Sequence, residues 1–439
     1  YIEISIDYSD GGNYEEAVHV LEQLPGYIAH PMAHYYKAYY FIKSGKVNEA
    51  LLSVHKGTAC SPDCIFPNRI EDIAVLQNAI ALNEQDYKAW YYLGNLFYDK
   101  KRYEAAIEAW EHSIKINDLF ATVHRNLGIA YYNKLNKKEE ALAQYQRAFE
   151  NDPTDSRVLF ELDNLFKRLK KSPVERLAFL QNYEPLVNER DDLYIEYVGL
   201  HTITGHIEEA GKLLLDRNFH PWEGGEGKVS GQYVNIHIEL AKTAIKKEAF
   251  ELAVELLENA KIYPLSLGEG KLYGTLENDI DYWRGCAFEL LNKPLKAEAF
   301  WIKAAATDIE LKPAVFYNDQ QPEKIFYKAL SLIKLGRIAE AENCFLSFIK
   351  YGETHLNEVV KTDFFAVSLP DLMIFDDDLT LRNNIHCYYL TGLGYFGLEK
   401  HKLAEENFKK ALVLEPSHAG VLLHLNMLKQ QVVSQVSLP

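Results

Sequence analysis

In AWYYLGNLFYDKKRYEAAIEAWEHSIKINDLF, residues 89–120, apolar side chains recur every three or four positions on both sides of the polar break DKKRY. That pattern predicts two amphipathic helices joined by a tight turn, a helical hairpin. Gly94 stands in the first helix and Ala106 in the second, twelve residues on. The same small-to-Ala step of twelve recurs as Ala38/Ala50, Ala241/Ala253, Gly285/Ala297, Ala329/Ala341 and Gly392/Ala404, more loosely as Ser5/Ala17 and Val198/Ala210, and one residue late as Gly128/Ala141. Small residues at both places let two helix backbones cross closely, and neighbouring aromatics such as Trp110 and Tyr145 fill the groove beside the contact. A degenerate unit around Leu162, in residues 154–185, brings the expectation to about ten hairpins. Such hairpins cannot bury their apolar faces alone, so they are expected to stack into a superhelix with a continuous core.

Trp90, Leu93, Gly94 and Phe97 fit the first half of the motif W-x2-L-G-x2-Y, Leu127-Gly128 and Tyr131 repeat it 34 residues later, and Pro153 ends the second unit. The pattern resembles the tetratricopeptide repeat. The resemblance implies an all-α, right-handed tetratricopeptide-type α-solenoid running through residues 1–439. Its expected parts are N-terminal repeats in 1–62, an extra helix in 63–88, regular repeats in 89–185, repeats with inserted loops in 186–416, and a capping helix with a tail in 417–439.

The interval between successive first helices departs from 34 at five places: 56 residues from Ala38 to Gly94, 43 from Val198 to Ala241, 44 from Ala241 to Gly285, 44 from Gly285 to Ala329 and 63 from Ala329 to Gly392. Each surplus falls after a second helix and before the next first helix, which predicts long inserted loops along one edge of the stack. One-sided insertions of this kind commonly carry function in repeat proteins. GEGKVSG (225–231) and GEGKLYG (268–274) each begin 27 residues beyond the small residue of their unit and so fill the same slot in adjacent units. The third slot opens at Lys312 and the fourth at Leu356. Neither glycine stretch is a phosphate loop: G-x4-G-K-[S/T] would need glycine where Trp222 stands and Ser or Thr where Val229 stands, and a dinucleotide fingerprint would need glycine at Ser230.

Aromatics interleaved with carboxylates, amides and lysines mark these inserts, and such groups stack on sugar faces, bond hydroxyls or grip an extended peptide. The candidate binding residues are His220, Trp222, Glu223, Glu226, Lys228, Tyr233, Glu269, Lys271, Glu277, Asp279, Tyr317 and Asp319. Glu226 and Glu269, on adjacent units, are the carboxylates that an acid–base pair would use; no catalytic residue is assigned beyond them. Asp376-Asp377-Asp378 is expected to cap a helix start. Asn95 and Asn126 stand where some tetratricopeptide domains clamp a partner's carboxylate, but Tyr91, Ser156 and Phe160 occupy the positions that would need cations.

Composition narrows the partners. With 48% hydrophobic and 13% aromatic residues the chain can bury a large core, and a formal charge of −16 without a basic block speaks against nucleic acid and anionic membranes. No apolar run reaches the ~18–20 residues of a membrane helix. Five cysteines are too few and too scattered for a disulfide framework, and Cys60-Ser-Pro-Asp-Cys64 lacks a second ligand pair, so neither a metal nor a cofactor is expected. The chain opens YIEISIDYSD without an initiator Met, as if cut from something longer, and a cytoplasmic location is expected.

Longer strings carry a more specific likeness: SPDCIFPNRIEDI, FHPWEGGEGKVSGQY, GEGKLYGTLENDIDYW, YNDQQPEKIFY, DFFAVSLPDLMIFDDD and RNNIHCYYLTGLGY. They resemble the C-terminal tetratricopeptide region of large bacterial proteins whose N-terminal part is a domain of unknown function similar to galactose-mutarotase β-sandwiches. The resemblance implies a non-catalytic interaction scaffold that docks a sister β-domain or another protein through its loop-bearing edge. The alternative it leaves is a carbohydrate-binding or carbohydrate-processing site formed by the inserted loops.

Overall fold

The computed structural model describes residues 1–25, 30–222, 224–307, 310–313, 322–360 and 374–436. Among them the chain forms 23 α-helices and no strand. They fall in two compact units, Tyr1–Val158 and Leu159–Pro439. The first contains α1 (Ile2–Asp10), α2 (Tyr14–Glu22), α3 (Pro31–Lys43), α4 (Val47–Ala59), α5 (Glu71–Leu82), α6 (Tyr87–Asp99), α7 (Tyr103–Ile116), α8 (Ala121–Asn133) and α9 (Lys138–Asn151). After α10 (Ser156–Arg168), at the boundary, the second continues through α11 (Pro173–Gln181), α12 (Glu184–Val187), α13 (Asp191–Ile203), α14 (Ile207–Leu215), α15 (Lys228–Lys246), α16 (Phe250–Asn259), α17 (Asn278–Leu290), α18 (Pro294–Ala305) and α19 (Glu323–Lys334). It ends with α20 (Ile338–His355), α21 (Leu379–Gly397), α22 (His401–Leu414) and α23 (Ala419–Val436). Within each unit a helix packs on its hairpin partner and on the next hairpin in chain order, the arrangement of an α-solenoid.

The residues of the twelve-step pattern explain how the hairpins close. Ser5, Ala17, Ala38, Ala50, Ala106, Ala141, Val198, Ala210, Ala241, Ala253, Ala297, Ala329, Ala341 and Ala404 are all fully buried. Where the first helix offers glycine, an aromatic of the second helix occupies the space. A Cβ added to Gly94 would run into Trp110, one on Gly285 into Trp301, one on Gly392 into Phe408 and one on Gly128 into Tyr145. Where it offers Ser5, Ala38, Val198 or Ala241, the residue sixteen positions on is the smaller Leu21, Val54, Leu214 or Leu257. Volume is thus shared across each crossing, as close packing demands. Ala329 with Phe345 departs from this rule, and both are buried.

Turns and caps set the lengths of the helices. Each hairpin turn needs one left-handed residue; Gly45 and Gly336 supply it without strain, whereas Lys101, Glu248 and Glu399 hold positive φ at the equivalent places. Ser172 and Glu175 form a capping box at the start of α11. Asp378 accepts from the Leu381 N–H at 2.9 Å, so the last of the three consecutive aspartates does cap α21. The 56-residue interval holds α5; its own buried Asp72 accepts from Tyr36 (2.7 Å), and the buried Asp86 that caps α6 accepts from Tyr35 (2.9 Å).

Replacing Gly94 by Ala should overpack the Trp110 contact and cost about 1–3 kcal/mol in thermal or denaturant unfolding. Gly231→Ala in α15, where an added Cβ meets nothing within 4 Å, should be neutral or stabilise by about 0.4–1 kcal/mol. Equal effects of the two substitutions would contradict the packing argument.

Candidate functional site

The two glycine-rich inserts are laced together at the edge of the second unit. The Phe219 N–H donates to the Ser266 carbonyl at 2.8 Å, and a Cβ on Gly268, whose φ is +72°, would collide with the Phe219 carbonyl. Gly227 begins α15 at φ +76° with no side chain to cap it. Glu269 does so instead: its carboxylate accepts from the Gly227 N–H at 2.8 Å and the Ser230 N–H at 2.7 Å. The second GEGK therefore supplies the anion for the helix that the first GEGK starts, a favourable placement against the helix dipole.

The other candidates are placed as follows. His220 is exposed and, with Arg217, holds Asp191, whose carboxyl stays below its usual range because those bonds outweigh the opposing effect of burial. Trp222 is half-buried and closes over Gly225. Glu226 is exposed. Lys271 and Lys261 converge on Glu277; burial works against its charge, but the two lysines keep its pKa low. Glu223, Tyr317 and Asp319 lie outside the described residues. Tyr233, expected among exposed aromatics, is instead buried, with its hydroxyl donating to the Asn259 carbonyl at 3.0 Å. It belongs to α15 rather than to the insert, and helical spacing turns it inward.

A cavity of about 530 Å³ lies inside the second unit, lined by α10, α11, α13, α15, the starts of α17 and α19, α21 and the start of α23. Gly227 and Lys228 of the first insert and Asp279 just beyond the second reach it; Trp222, Glu226 and Glu269 do not. Its ionic groups answer one another. Arg176, almost completely buried, bonds Asp163 through Nε (2.9 Å) and Nη2 (2.5 Å), approaches Glu196 at 3.3 Å, and donates to Ser417 at 3.1 Å. Burial opposes the charge on Glu196, but Lys167, Arg176 and Lys228 outweigh it and hold its pKa at about 2. Lys242 pairs with Glu239 at 2.6 Å, and Lys324 pairs with Asp279.

Beside these pairs lie groups without partners. His424 Nε2, Glu323 Oε2 and Gln232 Oε1 are buried and make no hydrogen bond. Burial pushes the Glu323 carboxyl above its ordinary range, with Lys324 opposing in part. Burial also lowers the His424 imidazole to about 4, leaving it neutral at physiological pH. Its Nδ1 is 2.8 Å from the Gly420 carbonyl, which can only accept; Nδ1 therefore carries the proton and Nε2 presents a lone pair. The Tyr389 hydroxyl lies 3.1 Å from the same Nδ1 and bonds Glu323.

Arg176, Glu196, Glu239, Lys242, Glu323, Tyr327, Tyr389 and His424 were not among the candidates, because they are scattered over six helices. A signal was nonetheless present. Six residues before the small contact residue of successive units stand Asn235, Asp279 and Glu323; two before it stand Glu196 and Glu239 and, beyond the unit that carries Trp283 there, Tyr327. Positions four apart share one helix face, and all six residues line the cavity. Among the described residues no cluster of three or more His, Cys, Asp or Glu is arranged to hold a metal.

Arg176→Met should cost about 3–5 kcal/mol in unfolding experiments, since it strands the buried Asp163 carboxylate. The double variant Arg176→Met/Asp163→Leu should recover most of that loss. A double variant as unstable as the single would show that the pair acts through packing alone.

Among solved structures, the chain is similar to YrrB, described as a TPR protein with an unusual peptide-binding site, at 18% identity over 44% of this chain and 95% of that one, with a TM-score of 0.32. The Naa15/Naa10 assembly bound to HypK-THB aligns at 13% identity over 96% of this chain and 60% of its own, with a TM-score of 0.34. PilF of Pseudomonas aeruginosa aligns at 17% identity over 49% of this chain and 88% of its own, with a TM-score of 0.29. A family model described as TPR repeat matches residues 94–134, and one described as tetratricopeptide repeat matches residues 126–155. Residues 94–155 thus contain tetratricopeptide repeats, and Gly94 and Gly128 within them pack against Trp110 and Tyr145.

Proposed function

We propose that the chain is a protein-interaction scaffold whose loop-bearing edge docks a β-sandwich domain of the kind found in the proteins it resembles. The observation that carries this reading is an apolar patch on the second insert. Leu265 and Tyr273 are fully exposed, and Ile262 and Leu272 are mostly so. They stand on a segment tied down at Ser266, Gly268 and Glu269 rather than on a loose connector. Apolar side chains held outward on a fixed support, rimmed by the Lys271–Glu277 pair, have the chemistry of an interface core with a polar rim. No helix among the described residues is long and apolar enough to cross a membrane.

A second reading, a small-ligand site to which the inserts contribute, is favoured by one observation. Gly227, Lys228 and Asp279 reach a cavity that also contains unpartnered polar atoms. No catalytic step is assigned to it.

Titrated calorimetrically with the separately expressed β-sandwich domain of the proteins it resembles, the chain should bind, and Leu265→Asp/Tyr273→Asp should weaken binding by about tenfold or more. Helical content and thermal unfolding should be unchanged, because both side chains are outside the core. Failure to bind, or binding indifferent to the double variant, would remove the edge as the docking surface.

A further inference from the structure

We infer that the cavity of the second unit is a binding site for a small, uncharged polyhydroxyl compound, of the size and chemistry of a mono- or disaccharide. The inference rests on the small-ligand reading above and assigns it a ligand class.

The starting point is what the cavity lacks. His424 is 95% buried, yet its Nε2 has no partner; Glu323 Oε2 and Gln232 Oε1 in the same lining have none either. Leaving a buried polar atom unsatisfied costs about 1–3 kcal/mol. Three around one cavity gather open acceptors at one place, which a bound molecule that displaces water would satisfy. The Gly420 carbonyl and Tyr389 fix the imidazole so that its free nitrogen accepts. A carboxyl and an amide oxygen likewise accept, and the carboxyl also donates when protonated. The missing partner must therefore donate hydrogen bonds, and a group that can both donate and accept fits all three.

Charge then selects among donors. Glu196 is held by Arg176 and Lys167, Glu239 by Lys242, and Asp279 by Lys324, so these three carboxylates already have their cations, while Glu323 sits in the lining with burial disfavouring its charged form. An ammonium ligand would find only Glu323 outside an ion pair, in a place where burial disfavours its charge, and would meet Lys167, Arg176 and Lys242. An anionic ligand would have Lys228 as the lining cation outside an ion pair among the described residues, but would face the carboxylates of Glu196, Glu239, Asp279 and Glu323. Hydroxyls satisfy the three open acceptors without disturbing any ion pair. The volume, about 530 Å³, lies within the ~300–1,000 Å³ range of small-molecule sites. Tyr327 and Tyr389 add the aromatic surface on which the apolar face of a sugar ring packs.

Saturation-transfer NMR and calorimetry on the full chain would use glucose, galactose and maltose as neutral probes, glucosamine as a cation and glucuronate as an anion. At least one neutral sugar is expected to bind at least tenfold more tightly than either charged analogue. His424→Leu, which removes an acceptor, should weaken that binding by tenfold or more. Gly231→Leu should do the same by filling open space in the cavity without removing a polar group, and circular dichroism would verify that both variants fold. Binding of glucosamine or glucuronate in preference, sensitive to Gly231→Leu, would overturn the uncharged ligand while leaving a small-ligand site. Neutral-sugar binding untouched by both substitutions would place the ligand elsewhere and overturn the inference. Absence of binding by any probe would overturn the inference and the small-ligand reading together.

Discussion

Two helices can cross at hairpin distance only if one of them withdraws its side chain at the contact, and here that withdrawal is repeated along the chain. Gly94, Gly128, Gly285 and Gly392 leave room that Trp110, Tyr145, Trp301 and Phe408 fill. Elsewhere Ala or Ser faces Leu or Val, with Val198 opposite Leu214 and Ala329 opposite Phe345 as the departures. The hairpin is thus a matched volume, and everything built on it inherits its geometry: which face of the first helix looks inward, and at which end the connectors emerge. Since the core is close-packed, a single added carbon at one of these glycines is felt by a ring on the other helix.

The second unit uses that geometry in two directions. Outward, the connectors preceding α15 and α17 are held to each other by one backbone bond, a glycine too tight for any side chain, and a carboxylate on two helix N–H groups. Their apolar tips are consequently presented on a fixed base. Inward, the first helices turn charged and polar side chains toward a common space, where Arg176 ties α11 to α10 and to Ser417 ahead of α23. Burying so many charges is costly unless each is answered. Most are, which makes the few unanswered acceptors informative.

The same residues can serve stability and recognition, and the division between them follows from hydrogen-bond accounting. Glu269 looked like a ligand-binding or catalytic carboxylate in the sequence, but both its oxygens are engaged by backbone amides, so it acts on α15. Asp279 is buried and paired with Lys324, yet it also lines the cavity. Glu323, which nothing in the motifs singled out, carries an open oxygen in that space. A carboxylate's availability depends on what already occupies its lone pairs, and a one-dimensional pattern does not record that.

The periodicity of small residues, the hairpins they imply and the helix start at Asp378 were all legible in the amino-acid sequence, because they depend on neighbours within one or two helical turns or on a repeat that restates itself. Tyr233 was misplaced because an aromatic near a loop reads the same whether it points in or out until the helix boundary is known. The cavity was beyond reach for a related reason. Asn235, Asp279 and Glu323 recur at one offset, and Glu196, Glu239 and Tyr327 at another, but only the stacking of successive units brings those offsets to a shared surface. Local composition determined which segments are helical and where they touch in pairs; the tertiary structure alone decided which polar groups meet across units, because that distance is set by the accumulated rotation of many packed hairpins and by no single stretch of chain.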